Sequence, residues 1–124
     1  MLGDCEMMTF TQTTQPDKAK AFYGDVLGLE ILEDGPLALV FSAGGTTLRI
    51  QKVRHFTPFP FTSLGWKVPD IGATVRQLRA KGVICERYEG MNQDEFGVWL
   101  APGGAKVCWF KDPDGNVLSL TQRC

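Results

Sequence analysis

The sequence predicts an α+β fold in which two similar βαβββ modules make up one domain of 124 residues. The first observation is a pair of Pro-Asp steps, Pro16-Asp17 and Pro69-Asp70, which lie 53 residues apart. The second is a pair of glycines, Gly28 and Gly82, which follow an apolar helical pattern and lie 54 residues apart. An offset this constant indicates an internal repeat, because unrelated segments would not keep the same spacing.

The first module is predicted over residues 5–52. It begins with an extended, Thr-rich run at 7–13, after which Gln15-Pro16-Asp17 opens a helix, since proline at the first helical position sacrifices no intrahelical hydrogen bond. Apolar residues then recur at three- and four-residue steps, namely Ala19, Phe22, Tyr23, Val26 and Leu27. Gly28 ends the helix because glycine adopts a positive φ without strain. Three extended runs follow, at 29–32, 37–41 and 47–51, with glycine-containing turns between them.

Residues 53–60 are predicted as a linker, and the second module, over residues 61–123, repeats the order of elements. An extended run at 61–68 precedes a helix with an apolar stripe, Ile71, Val75 and Leu78, that ends at Gly82. Further extended runs are predicted at 83–87, 97–101, 105–110 and 117–121, and the turn 112–116 has residue types suited to a tight reversal. Because one helix covers only one face of its sheet, we expect the two sheets to curve around a central cavity, in a homodimer.

Composition and charge exclude several classes of partner. Apolar residues make up 44% of the chain and charged residues 22%, as in soluble globular proteins. The net charge of −1 argues against nucleic-acid binding. The longest strictly apolar run, residues 37–41, is far shorter than the ~20 residues of a membrane helix. Because the N-terminus is also acidic, unlike a signal peptide, we expect a cytoplasmic protein with no membrane partner.

Three segments resemble a known superfamily. Residues 17–30, DKAKAFYGDVLGLE, resemble the "FY…LGL" helix of the vicinal oxygen chelate superfamily, and residues 109–118, WFKDPDGNVL, resemble its "F.DPDGN" turn and last strand. Lys52, His55 and Pro58 are similar to the "K..H.P" linker of a subgroup of small glyoxalase/bleomycin resistance/dioxygenase-like proteins. The resemblance implies the glyoxalase-type fold over nearly the whole chain. It does not fix the chemistry, because one fold hosts many functions.

The resemblance also implies where a metal would bind. Each module of the metal-using relatives supplies two ligands, usually a His on the first strand and commonly a Glu on the last. By counting from the motifs, these four positions hold Met8, Arg49, Ser63 and Ser119. A thioether, a cation and two hydroxyls are poor ligands for such metals, and the chain has a single histidine. We therefore expect no metal and no other cofactor.

In place of a metal, we expect the cavity to hold a small organic molecule. If the first strands keep regular alternation, their inward side chains face it. The predicted ligand-binding residues are Met8, Phe10, Gln12, Arg49, Gln51, Ser63, Trp99, Trp109 and Ser119. Alternatives stay open: a bulge would turn Phe10 into the helix-side core, the aromatic residues would serve packing alone, or Arg49 would pair with an acid such as Glu30.

Three functional hypotheses fit these residues. The first is metal-independent binding of a small organic molecule, with sequestration or resistance as its purpose. The second is a glyoxalase-like lyase, isomerase or dioxygenase-related enzyme that uses other residues or another metal site, with His55, Arg49 and Lys52 as catalytic candidates. The third is a protein that acts through its dimer surface. The sequence does not decide whether the protein is an enzyme, and an exposed position in the linker is the alternative for His55.

The four cysteines lack the spacing of a metal site. They are Cys5, Cys85, Cys108 and Cys124, and no two of them form a CxxC pair. We expect free thiols, with Cys85 and Cys108 buried and the other two exposed near the termini.

Overall fold

Each half of the chain folds into a four-stranded mixed sheet with a helix after its first strand. The structure is a computed structural model that describes every residue from Met1 to Cys124. The chain divides into two compact units, Met1–Thr57 and Pro58–Cys124. Their boundary lies inside segment 53–60, where the sequence predicts a linker. The predicted α+β fold of two βαβββ modules is confirmed.

The first unit contains four strands and one α-helix. Its elements are β1 (Met8–Thr13), α1 (Pro16–Ala21), β2 (Glu30–Asp34), β3 (Ala38–Ala43) and β4 (Thr46–Lys52). A short 3₁₀ helix, Leu2–Asp4, precedes β1, and α1 continues as a π-helical turn, Phe22–Val26. The strand order is β1-β4-β3-β2, with β1 parallel to β4 and the remaining pairs antiparallel.

Strand alternation explains the core of the first unit. Successive residues of a strand point to opposite faces, so one face of the sheet packs against α1 and the π-helical turn. That face buries Thr11, Leu39, Phe41, Leu48 and Ile50, which surround Ala19 and the fully buried Tyr23. Gly28 has a φ of 78°, as its predicted role at the helix end requires.

The second unit repeats this order with a longer helix. Its elements are β5 (Thr62–Lys67), α2 (Ile71–Ala80), β6 (Trp99–Leu100), β7 (Lys106–Lys111) and β8 (Val117–Gln122), and the strand order is β5-β8-β7-β6. Asp70 caps α2 by accepting a hydrogen bond from the Ala73 N–H at 3.0 Å. The predicted stripe of Ile71, Val75 and Leu78 is buried, and Gly82 has a φ of 89° after the helix ends.

The strand predicted at 83–87 is wrong, and the strand predicted at 97–101 shrinks to two residues. Segment 83–98 is irregular because side chains take the backbone groups that a neighbouring strand would otherwise bond. The Gln93 amide donates to the carbonyls of Glu86 and Gly97 at 2.9 and 2.8 Å and accepts from the Tyr88 N–H. One ladder-like bond remains, from the Glu86 N–H to the Trp109 carbonyl at 2.7 Å. A hydrophobic pattern cannot reveal this competition.

The turn at 112–116 is held by one buried carboxylate. Asp112 Oδ1 accepts hydrogen bonds from the N–H groups of Asp114 and Asn116, both at 2.9 Å. Its Oδ2 accepts from the Asn116 side-chain amide at 2.8 Å. Gly115 has a φ of 91°, which disfavours any residue with a Cβ. The predicted tight turn is therefore confirmed, and it aligns β7 with β8.

We expect Asp112→Ala to lower the free energy of unfolding by about 3 kcal/mol, because three donors lose their acceptor in a buried site. Asp112→Asn keeps one acceptor oxygen and should cost less. Urea denaturation measures both. The control is Asp4→Ala at an exposed position. A cost for Asp112→Ala no greater than that of the control would contradict the role of this carboxylate.

Candidate ligand-binding site

The face of the first sheet that lies opposite the helix carries five of the predicted ligand-binding residues. Phe10 pairs with Arg49 across β1 and β4, and Gln12 pairs with Gln51, without any break in register. Met8 lies two residues before Phe10 on the same face, with its side chain about half exposed at 49%. Phe10 is 53% exposed, so it does not enter the helix-side core and the bulge considered for it does not occur.

Arg49 is the cation of this open face. The chain forms salt bridges between Lys20 and Asp34, Lys52 and Asp34, and Lys111 and Glu86, and Arg49 takes part in none of them. The pairing with Glu30 that the sequence left open is therefore not formed. A half-buried guanidinium without a carboxylate partner remains able to donate hydrogen bonds to an anionic or carbonyl group.

The three catalytic candidates, Arg49, Lys52 and His55, are not brought together. Arg49 and Lys52 are three residues apart on β4, so their side chains point to opposite faces of the sheet. Lys52 Nζ instead contacts Asp34 Oδ1 at 2.8 Å, on the side where Lys20 contacts Oδ2 at 3.1 Å. His55 is exposed beyond the end of β4. The structure thus offers no paired acid and base among these residues.

The open face of the second sheet carries an aromatic cluster. The ring of Trp109 lies 6.1 Å from that of Trp99 in a tilted arrangement, and 5.6 Å from that of Tyr88 at a nearly perpendicular angle. The Trp109 indole N–H donates to Thr62 Oγ1 at 3.1 Å, which fixes the orientation of the ring. Trp99 and Trp109 were predicted from strand alternation. Tyr88 was missed, because it lies in irregular segment 83–98, where alternation gives no signal.

Ser119 and Gly65 lie on the same open face, beside Trp109. Ser119 is flanked by Trp109 on β7 and by Gly65 on β5, its register partners. A Cβ atom at position 65 would come within 2.8 Å of Ser119 Oγ, so a larger residue there would force the Ser119 hydroxyl to move. Ser63 lies at an irregularity of β5, and its hydroxyl donates to the Val117 carbonyl at 3.2 Å. Sequence counting selected Ser63 and missed Gly65, because it could not detect the register shift.

The residues at the superfamily's metal positions do not fit a metal. In the first unit, Met8 and Arg49 offer a thioether and a cation, and in the second unit Ser63 uses its hydroxyl on a backbone carbonyl. No group of three His, Cys, Asp or Glu side chains comes together anywhere in the chain. The metal-free interpretation stays a prediction, now with a donor set that argues for it.

A cavity of about 550 Å³ lies elsewhere in the second unit, beside the start of α2. Three of its polar lining residues already bond the backbone: Asp70 caps α2, Gln122 accepts from the Ile71 N–H at 2.8 Å, and Asp94 accepts from the Val98 N–H at 2.9 Å. Because these groups satisfy the backbone, this cavity is a weaker candidate than the aromatic face, despite its size.

Comparison with known proteins identifies the superfamily to which the chain belongs. A family model for the Glyoxalase/Bleomycin resistance protein/Dioxygenase superfamily matches residues 8–120. The chain belongs to this superfamily, which confirms the resemblance seen in the motifs. A search of curated proteins finds no match.

Solved structures show the same fold. A superfamily member from Sphaerobacter thermophilus DSM 20745 has a TM-score of 0.75 at 22% identity, covering 95% of this chain and 96% of its own. TnmS3, an antibiotic binding protein from Streptomyces sp. CB03234, has a TM-score of 0.72 at 24% identity, with coverage of 100% and 99%. Lactoylglutathione lyase from Agrobacterium tumefaciens has a TM-score of 0.72 at 20% identity, with coverage of 96% and 93%. At such identities the likeness concerns the fold alone.

None of the helices here has the length and apolar character needed to cross a membrane.

The two lysines that pair with Asp34 change the pKa of its carboxyl. The hydrogen bond from Lys52 lowers this pKa most, and the hydrogen bond from Lys20 lowers it further below its usual value. The ion pairs therefore stabilise the folded state at pH values above the pKa that Asp34 has in the unfolded chain. This stability is lost as the pH falls through the lower pKa that Asp34 has in the folded chain. We expect Lys52→Met to raise the Asp34 pKa more than Lys20→Met does, as measured by NMR titration of the carboxyl carbon. Arg54→Met is the control, and equal effects of all three would contradict this assignment.

Proposed function

We propose that this protein binds a small organic molecule without a metal and holds it unchanged, with sequestration or resistance as its purpose. The observation that carries the proposal is the aromatic cluster of Tyr88, Trp99 and Trp109 on the open face of the second sheet. Aromatic rings bind flat apolar groups through their large contact area and through stacked or edge-to-face contacts. The hydrogen bond from Trp109 to Thr62 holds one of these rings in place before a ligand arrives.

In each unit, polar groups on the open face would orient a ligand bound to that face. In the first unit, Arg49 supplies a positive charge beside Phe10, and Gln12 and Gln51 supply amide groups that hydrogen-bond each other at 3.4 Å. In the second unit, the hydroxyl group of Ser119 lies beside Trp109, with 8% of the residue exposed. An apolar surface with a few placed polar groups is the usual composition of a small-molecule site. We assign Met8, Phe10, Gln12, Arg49, Gln51, Ser63, Trp99, Trp109 and Ser119 to ligand binding, and we add Tyr88 and Gly65.

Two further points support binding rather than turnover. TnmS3 is an antibiotic binding protein, so a chain of this fold and length can serve binding. Of the candidate catalytic residues, Lys52 is paired with Asp34 and lies on the face opposite Arg49, and His55 is exposed in the linker. The homodimer predicted from the sequence is part of the same proposal.

The aromatic cluster can be tested with the ligand that co-purifies or is found by screening. Native mass spectrometry reports the bound mass and the number of subunits, and quenching of tryptophan fluorescence reports the affinity. We expect Trp109→Ala to weaken binding roughly tenfold or more, since the variant loses an aromatic contact worth about 0.5–1.5 kcal/mol in addition to the apolar area of the ring. The matched control is Trp66→Phe, because Trp66 pairs with Leu120 on the helix side of the same sheet.

Two outcomes would contradict ligand binding by this cluster without turnover, and a third would contradict the metal-free part of the proposal. One is unchanged affinity in Trp109→Ala while the protein stays folded by circular dichroism. The other is conversion of the bound molecule to a product by the wild-type protein, which would favour the enzymatic hypothesis. A stoichiometric transition metal in the native mass spectrum would likewise contradict the metal-free part.

The Arg49 contribution needs a ligand with an acidic group. We expect Arg49→Met to reduce affinity for it about tenfold, and added salt to reduce wild-type affinity but not that of the variant. Arg54→Met, which removes an exposed cation five residues away, should bind as the wild type does. Equal losses in the two variants would mean that net charge, and not the position of Arg49, controls binding.

A further inference from the structure

The helix-side face of the second sheet is covered only in part. On β7, Cys108 is buried in the core, whereas Lys106, two residues earlier on the same face, is exposed. Lys106 pairs with Leu100 on β6 and with Gln122 on β8, so these three residues form a row at the end of the sheet. The row lines the cavity of about 550 Å³, together with the start of α2 and part of segment 83–98.

Hydrogen bonds within segment 83–98 hold one wall of this cavity in place. The side chain of Gln93 makes three hydrogen bonds with backbone groups of the segment. Asp94 Oδ1 accepts from the N–H groups of Phe96 and Val98 at 2.8 and 2.9 Å, and the Asp94 N–H donates to the Val98 carbonyl at 2.8 Å. A wall that is ordered before a ligand arrives lowers the entropy cost of binding.

Charged groups of both signs line the cavity, and they are Asp70, Asp94 and Lys106. Each carboxylate uses Oδ1 to accept backbone N–H groups, which leaves Oδ2 without a hydrogen bond. Lys106 takes part in none of the salt bridges of the chain. The cavity therefore offers acceptors for an ammonium group and a donor for a carboxylate, and such complementary charges select a ligand that carries both.

The remaining lining combines apolar side chains with one more donor. Pro69, Phe96 and Leu100 supply apolar surface, and Leu100 is 63% exposed. Gln122 Oε1 accepts from the Ile71 N–H at 2.8 Å, so the Nε2 atom of Gln122 is left to donate beside Lys106. Apolar surface with a few placed polar groups is the usual composition of a small-molecule site.

We propose that this cavity binds an apolar α-amino acid in its zwitterionic form. The carboxylate of the amino acid contacts Lys106 and the side-chain amide of Gln122, and its ammonium group contacts the carboxylates of Asp70 and Asp94. Its side chain packs on the apolar lining at Leu100. The site lies on the helix side of the sheet, opposite the aromatic cluster, so the inference does not depend on the function proposed for that cluster.

The test is a titration of the isotope-labelled full chain with L-phenylalanine and with L-leucine, followed by NMR of the backbone amides. We expect saturable shifts at Gly72, Lys106 and Gln122, which line the cavity. Two analogues of phenylalanine separate the charges, because phenethylamine lacks the carboxylate and 3-phenylpropionate lacks the ammonium group. Each analogue should bind about fivefold more weakly than phenylalanine. Equal affinities for all three compounds, or no saturation with either amino acid, would overturn the proposal.

Variants assign each charge of the ligand to its partner. We expect Lys106→Met to weaken binding of phenylalanine and 3-phenylpropionate about fivefold and to leave phenethylamine unaffected. The Asp70→Asn/Asp94→Asn double variant keeps both Oδ1 acceptors and should weaken phenylalanine and phenethylamine instead. Lys18→Met, which removes an exposed cation of the first unit, is the matched control and should bind as the wild type does. Equal losses in Lys106→Met and Lys18→Met would contradict the role of Lys106.

A further variant separates this site from the aromatic cluster. Trp109→Ala alters the opposite face of the sheet, so we expect it to leave the affinity for phenylalanine unchanged. Loss of phenylalanine binding in Trp109→Ala, with shifts confined to the open face, would place the amino acid on the aromatic cluster and overturn the proposal. Should the aspartate variant fail to fold, the series of analogues with the wild-type chain decides the proposal by itself.

Discussion

The parallel pairing of the first and last strands in each module is the constraint on which the site depends. β1 pairs with β4, and β5 pairs with β8. In each unit, the chain that connects these two paired strands begins with the helix, which packs on one face of the sheet. One face of each sheet is then covered and the other stays open. Strand alternation then decides which side chains lie on each face. Phe10 and Arg49 lie on the open face because their neighbours Thr11 and Ile50 are buried in the core on the helix side. A shift by one residue would exchange these two sets.

Much of this arrangement can be predicted from sequence because it depends on local chemistry. The apolar stripe of α2, the glycines after both helices and the turn at Asp112 each have a signature within a few residues. The open-face residues of β1 and β4 also follow from alternation, since the register between these strands is regular. Where local preference and the fold agree, one chain carries enough information to place side chains on a face.

The parts that escaped prediction depend on contacts between distant residues. Gln93 satisfies the backbone of Glu86, so an apolar run that looks like a strand stays irregular. The same irregularity brings Tyr88 onto Trp109, which no periodicity indicates. The register shift in β5 places Gly65, not Ser63, beside Ser119. Each case is a competition between a side chain or a bulge and the regular ladder, and its outcome is set by partners far along the sequence.

The aromatic face of the second sheet depends on β7 and on segment 83–98 together. Trp109 points to the open face, and the adjacent Cys108 points to the core, because neighbouring strand residues face opposite ways. Segment 83–98 is bonded to β7 through the Glu86 N–H and the Trp109 carbonyl at 2.7 Å, and Tyr88, two residues further on, contacts the Trp109 ring. A ligand that displaces Tyr88 would therefore act on a segment that this hydrogen bond anchors to the strand carrying Trp109.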